Sequence, residues 1–457
     1  MIFNQAEFLC LFLPVVFGLF SVSWLRVVRV EMLLVASLIF YGVSGLEHLI
    51  VLCIGIVWTY CMTMSDRIIG SKWRLALAVT PPVLALIYYK YAAFLVRSLL
   101  MLQPDPADDS FHLFANILLP AGISFFTFEL VSYSIDRYRG EIRQAPPFRA
   151  MALFISFFPH LVAGPILRFH QISDSIGNLT AFRRERRAAA EAVGYIVFGL
   201  AAKVLLADTL GNYMKPLTAQ PGNLDVLTCI YVILAYSFQI YFDFYGYSLI
   251  AIGIAKLFGF QFPDNFLRPY EALNPREFWR RWHVSLSYWL RDYLYIPLGG
   301  NQAYRRNILI VFAICGLWHG AGWTFVVWGL YHAALVIGYS FVRRGWDRLP
   351  VAVQIASTFG LVSIGWTLFL FDFARAMQFG RSLLGMGPGD GPSASVEMWL
   401  ALLVTAVVSY LTNFERIIQR TERTKFKALV YSAGLAILMV SVLLFLDRSE
   451  GFIYFRF

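Results

Sequence analysis

Apolar runs alternate with short polar loops along nearly the whole chain. About 20 apolar residues suffice to cross a bilayer as a helix, so this alternation predicts an all-α, polytopic integral membrane protein. The predicted spans are Phe8 to Leu25, Met32 to Val43, Leu49 to Met64, Leu75 to Leu102, Ile117 to Ile135, Met151 to Ile166 and Ala188 to Leu206. Further ones are Leu227 to Phe242, Ser248 to Phe260, Ile308 to Trp318, Thr324 to Phe341, Val351 to Phe371, Val396 to Leu411 and Ala428 to Leu446. Several are shorter than a full crossing. Around Pro159, Gly164, Pro165, Gly246, Gly320 and Gly322 the pattern predicts broken or re-entrant helices, which membranes tolerate only where they are buried or line a wet cavity. The expected architecture is about 11 to 14 hydrophobic helices around a central intramembrane cavity, in one membrane-embedded domain over residues 1–457. Met151 to Ile166 is ambiguous as a crossing, because basic loops flank both its ends.

Composition agrees with that pattern: 59% of the 457 residues are hydrophobic, 14% are charged, and the mean hydropathy is +0.63. No water-soluble surface carries such a balance. The formal charge of +10 is concentrated in particular loops, and Lys and Arg near span ends prefer the cytoplasmic side. Arg26 and Arg29, Arg67 to Arg74, Arg137 to Arg149, Arg183 to Arg187, Arg343 to Arg348 and Arg416 to Lys427 are therefore expected inside. The base-poor loops Gln103 to Phe111, Gly211 to Asp225 and Gly385 to Glu397 are expected outside, as is the N-terminus. Met1 to Phe20 lacks a basic leader and a small-residue cleavage site, so it predicts a retained first span. Cys10, Cys53, Cys61, Cys229 and Cys315 show no metal-site or redox spacing, so neither a disulfide framework nor a metal site is expected. No nucleic-acid-binding module is present.

Against this apolar background His319 stands out, in Cys315-Gly316-Leu317-Trp318-His319-Gly320-Ala321-Gly322-Trp323. An imidazole in hydrocarbon is costly unless it faces a cavity or a partner. A histidine hydrogen-bonded between helices would account for it structurally. The two following glycines favour a working site, because a helix can open there and let a substrate reach the ring. Neutral imidazole is a suitable general base near pH 7. A second constellation runs from Phe278 to Tyr293, where helical periodicity puts Trp279, Trp282, His283, Leu286, Leu290 and Tyr293 on one face. Arg280, Arg281, Ser285, Arg291 and Asp292 fall on the other sides, as expected of a helix lying in the cytoplasmic interface. Asp243, Glu129 and His332 are weaker intramembrane candidates, and His160 beside Pro159 reads as a packing or loop group. Phosphate-cradling glycine motifs, a nucleophilic serine elbow and a zinc-binding histidine pair are absent.

These segments resemble the membrane-bound O-acyltransferase (MBOAT) superfamily, in particular its branch that acetylates exopolysaccharides such as alginate. The resemblance runs through 119–128, 158–166, 203–208, 239–244, Glu277 to His283, Arg291 to Asn301 and Gly316 to Gly320, in order. It implies acyl transfer from a cytoplasmic thioester, acetyl-CoA or an acyl carrier protein, to a hydroxyl acceptor. The family's catalytic histidine falls on His319 and its second histidine on His283. Trp282, Arg280, Arg281, Asp292, Tyr295, Asn301 and Asp243 are the residues expected to bind donor or substrate. Departures are His160 and Glu129, both where glutamine is expected, and Arg456 in the closing aromatic segment Phe452 to Phe457.

The same resemblance implies a bacterial inner-membrane location, a polysaccharide acceptor and a periplasmic SGNH-type acetyltransferase partner. D-alanylation of teichoic acid and acetylation of peptidoglycan or cellulose are the enzymatic alternatives. A transporter or flippase with no covalent chemistry is the alternative from outside enzymology, since broken helices and intramembrane ionisable groups also build transport sites.

Overall fold

The computed structural model describes residues 3–99, 118–183, 185–420 and 425–453. Among these the chain is helical throughout, and seven helices are long and apolar enough to cross a membrane, or eight if a bent pair counts as one span. The expected outer loop Gln103 to Phe111 and the residues Tyr454 to Phe457 lie outside the described part. The chain divides into two compact units, residues 1–189 with 254–263, and residues 190–253 with 264–457.

In the first unit the two N-terminal apolar runs form Glu7–Ser21 and Ser23–Gly42, bent by 100°. The bend is held by the buried Arg29, whose Nε donates to Phe20 O at 3.2 Å and whose Nη1 donates to Leu179 O and Phe182 O, both at 2.8 Å. A guanidinium can be buried here because backbone carbonyls replace its hydration. Leu46–Thr63 and Lys72–Val96 are full-length apolar helices. Met151 to Ile166 is not one helix: Phe148–Ser156 is followed by the single turn Phe158–Leu161 and then irregular chain. Gly164 allows that turn, because a Cβ there would stand 2.4 Å from His160 Cα. His160 is fully buried, with Nδ1 2.9 Å from Glu129 Oε1, so the two departures from glutamine noted in the sequence form one pair.

Leu227 to Phe242 and Ser248 to Phe260 are not separate spans, as the sequence predicted, but one 32-residue helix, Val226–Leu257, which belongs to the second unit through Gly253. Gly246 does not break it. A Cβ on Gly246 would stand 2.7 Å from Gly199 O, and one on Gly253 would stand 2.7 Å from Ala192 O. These glycines let Arg186–Ala219 approach backbone to backbone, the usual role of small residues between membrane helices. The expected loop Gly211 to Asp225 is also largely helical, since Leu210, Met214 and Leu217 bury one face of Asp208–Ala219.

Tyr304–His319 and Trp323–Trp346 form an antiparallel hairpin whose crossing is set by two glycines. A Cβ on Gly316 would lie 2.1 Å from Phe325 O, and one on Gly329 would lie 2.1 Å from Phe312 O. Nothing larger fits. Elsewhere in the unit Lys203 Nζ donates to Asp208 Oδ1 at 2.6 Å and Asp243 Oδ1 at 2.7 Å, all three side chains being buried. Both carboxylates also grip residues near the chain's end: Ser449 Oγ donates to Asp208 Oδ2 at 2.6 Å, and Ile453 N donates to Asp243 Oδ2 at 2.9 Å. Lys203 and Asp243 are therefore structural partners of one another and of the closing segment.

Candidate active site

His319 is the last residue of Tyr304–His319, and the chain leaves the helix through extended backbone at Gly320. Glycine lets the Phe325 ring close onto this exit, since a Cβ at position 320 would stand 2.1 Å from that ring. The imidazole is 3% exposed and walled by aromatic rings. Its ring centroid lies 5.0 Å from Trp318, 5.1 Å from Trp328 and 5.3 Å from Phe369, all edge to face. Aromatic edges and faces fix the ring's plane.

The second histidine lies beside it, with the His283 and His319 ring centroids 6.4 Å apart. His283 is also 5.8 Å from Trp318 and 4.7 Å from Phe244 of the Val226–Leu257 helix. The single amphipathic helix expected from Phe278 to Tyr293 is broken at this point. Pro275–Arg281 ends, His283 takes left-handed backbone with φ 44° and ψ 57°, and Val284–Leu290 begins. Helical periodicity assigns His283 to the apolar set correctly. The break that turns it toward His319 comes from non-local contacts and is invisible to periodicity.

His283 is fully buried, and desolvation lowers its pKa to about 3, so the ring is neutral at any pH near 7. A neutral imidazole can donate one hydrogen bond and accept one, but it offers no positive charge.

Trp282 is fully buried and braces this region, with ring centroids 4.9 Å from Trp366, 5.0 Å from Phe266 and 5.5 Å from Phe278. Pro275–Arg281 is started by Asn274, whose Oδ1 accepts from Glu277 N at 2.9 Å, with Pro275 in the first turn. Glu277 then accepts from Arg281 Nη2 at 2.5 Å, which ties up Arg281 on its own helix.

A cavity of about 200 Å³ opens between these helices and the hairpin, with Trp279, Phe312 and Cys315 among its apolar walls and Arg276, Arg280 and Arg291 among its lining residues. Cys315 is one helical turn before His319, so the two side chains share a helix face. Among the described residues no carboxylate lines the cavity, although Arg291 pairs with Asp292 next to it at 2.6 Å. The cavity therefore combines apolar walls with positively charged lining residues.

Of the residues singled out in the sequence, His319, His283 and Trp282 come together, and Arg280 and Tyr295 line the cavity. Arg281 faces Glu277, and Asp292 faces Arg291. Asn301 is exposed and accepts from Tyr295 Oη at 2.7 Å, while Asp243 is committed to Lys203. Trp328 and Phe369 pack on His319, Trp366 packs on Trp282 and Trp328, and Cys315 lines the cavity; none of these four was singled out. His332 lies behind Trp328 and Trp279, with ring centroids 4.9 Å and 5.0 Å away.

A family model described as MBOAT, membrane-bound O-acyltransferase family, matches residues 121–371. The chain is 39% identical over 384 residues to the probable alginate O-acetylase AlgI of Pseudomonas syringae pv. tomato, covering 81% of this chain and 72% of that protein. It is 33% identical over 436 residues to a peptidoglycan O-acetyltransferase of Helicobacter pylori, covering 84% and 80%. Against a teichoic acid D-alanyltransferase of Streptococcus thermophilus the identity is 28% over 309 residues, covering 63% and 69%. With the family match spanning both histidines and all the helices that hold them, the chain belongs to the membrane-bound O-acyltransferase family as a multi-pass, all-helical member.

Proposed function

We propose that this protein is an O-acetyltransferase of a bacterial inner membrane, moving an acetyl group from a cytoplasmic thioester toward a periplasmic acceptor for acetylation of an alginate-like exopolysaccharide. The observation that carries the reading is the approach of the buried His319 and His283 rings to 6.4 Å, with Cys315, one turn before His319, lining a cavity that Arg276, Arg280 and Arg291 also line. Relatives named for alginate O-acetylation share 38–40% identity with the chain, against 28% for the D-alanyltransferase, which favours acetyl as the acyl group.

The donor, acetyl-CoA or an acetylated carrier protein, would enter from the face where Arg276, Arg280 and Arg291 attract its phosphates. Its thioester arm would then run along the apolar wall past Cys315. His319 takes the proton from the attacking hydroxyl as that oxygen bonds to the thioester carbonyl carbon. The carbon–sulfur bond breaks as the tetrahedral intermediate collapses, and the imidazolium returns the proton to the departing thiolate. His283, neutral throughout, orients His319 or donates to the carbonyl oxygen as it gains charge. An SGNH-type periplasmic partner would pass the acetyl group on to the polymer.

The test is incubation of the purified protein with radiolabelled acetyl-CoA, or with acetylated carrier protein, with and without the SGNH-type partner and an alginate oligosaccharide. Thiol release and labelled acceptor are the expected result. An intact donor under all these conditions would instead point to a transporter.

A further inference from the structure

The residue at the N-cap of a helix ordinarily supplies a side-chain oxygen to the first exposed N–H groups, which is why Ser, Thr, Asp and Asn prevail there. His283 occupies that position for Val284–Leu290 and makes no side-chain cap bond. The cap comes instead from 18 residues earlier in the chain. Val284 N donates to Asn265 O at 2.9 Å, Ser285 N donates to Asn265 Oδ1 at 3.3 Å, and Ser285 Oγ donates to the same oxygen at 2.9 Å. A backbone N–H can only donate, so the amide oxygen must face Ser285. The amide nitrogen is left to donate to Ser248 Oγ, at 3.2 Å.

Asn265 is 1% exposed, and all its described bonds run to elements of the site. Ser248 lies one turn beyond Phe244, the residue whose ring packs against His283. On the other side of Trp282 and His283, Leu267 N donates to Arg281 O at 2.9 Å. The 265–267 segment therefore grips the chain immediately before and after the two residues, and His283 is held in left-handed backbone between the grips. A histidine engaged in capping would point along its own helix. Relieved of that duty, its ring is directed toward Trp318 and His319.

We infer that Asn265 is a positioning residue for acyl transfer: it caps Val284–Leu290 from outside, so that the N-cap histidine delivers its imidazole to His319. This rests on the reading of His283 as part of the reacting site. It goes beyond that reading by assigning the device that aims it.

The experiment uses the purified full chain and its Asn265→Ala, Asn265→Asp, His283→Ala and Asn265→Ala/His283→Ala variants. Donor kcat and KM are measured by thiol release, and detergent-solubilised melting is followed in parallel. Asn265→Ala is expected to lower kcat by about 10- to 100-fold, as small misplacements of reacting groups do, with donor KM little changed. Asn265→Asp keeps the oxygen that faces Ser285 and is expected to recover much of that loss, so it also serves if the alanine variant does not fold. The double variant should be no slower than His283→Ala alone, because both changes remove the same orientation. An equal loss from Asn265→Ala with and without His283 would reduce Asn265 to a general structural role and overturn the inference. Wild-type turnover in an Asn265 variant, with His283→Ala impaired, would overturn it alone. Wild-type turnover in His283→Ala would instead remove the underlying reading of His283.

Discussion

Replacing Gly316 by alanine tests how tightly the position of His319 is tied to the helix hairpin. The added Cβ would stand 2.1 Å from Phe325 O and 2.9 Å from Phe325 C, both backbone atoms that no rotamer change can move. Ordinary contact begins near 3.4 Å, so the two helices must part by about 1 Å at this point, a change of the kind that costs about 1–3 kcal/mol in a packed interior. His319 lies three residues further along the same helix and would move with it. A displacement of that size is expected to slow acyl transfer by about 100-fold, equivalent to about 3 kcal/mol of transition-state stabilisation. The control is Gly338→Ala on Trp323–Trp346, where an added Cβ meets nothing within 4 Å. The assay is thiol release from acetyl-CoA by purified protein, with melting in detergent measured alongside. Gly316→Ala with wild-type turnover and an unshifted melt would refute the claim that this crossing sets the catalytic geometry.

Three further outcomes follow from other parts of the molecule. Coenzyme A should slow alkylation of Cys315, which lines the cavity, and leave the exposed Cys10 and Cys61 unaffected in the same digest; equal protection of all three would place the donor elsewhere. Because burial holds the folded-state pKa of His283 near 3, the unfolded chain binds a proton below about pH 6.5 that the folded chain does not, so stability should fall as pH drops from about 6.5 toward 3, by up to roughly 5 kcal/mol. His283→Asn, which tolerates left-handed backbone, should flatten that dependence, and parallel melting curves for the two proteins would contradict the assignment. Lys203→Met leaves the buried Asp208 and Asp243 without their cation and should cost about 3–5 kcal/mol, with faster proteolysis near Ser449; an unchanged melt and digest would show that the cluster does not hold the closing segment.

The helical class was legible in the sequence, and so was the buried setting of His319, an imidazole in the middle of an apolar run. The sequence was misleading at Gly246, since a glycine that breaks a helix and one that lets two backbones touch leave the same mark in one dimension. Gly199, 47 positions earlier, decides between them. The break at His283 was likewise hidden, because Asn265 imposes it through contacts that helical periodicity does not contain. Asp243 was legible as an intramembrane charge, but its partner Lys203 lies on another helix, so a substrate contact and a buried ion pair looked alike. The aromatic walls, Trp328, Trp366 and Phe369, were masked by the abundance of aromatic residues in a chain where 17% are Phe, Trp or Tyr.

If the His319 imidazole handles the proton in acyl transfer, its removal in His319→Ala should abolish single-turnover transfer. Labelled acetyl-CoA would be mixed with excess purified protein, and thiol release followed for the wild type and for a variant shown to keep the same melting temperature. Release by the variant should fall to the uncatalysed background. Release at the wild-type rate from the folded variant would contradict that role.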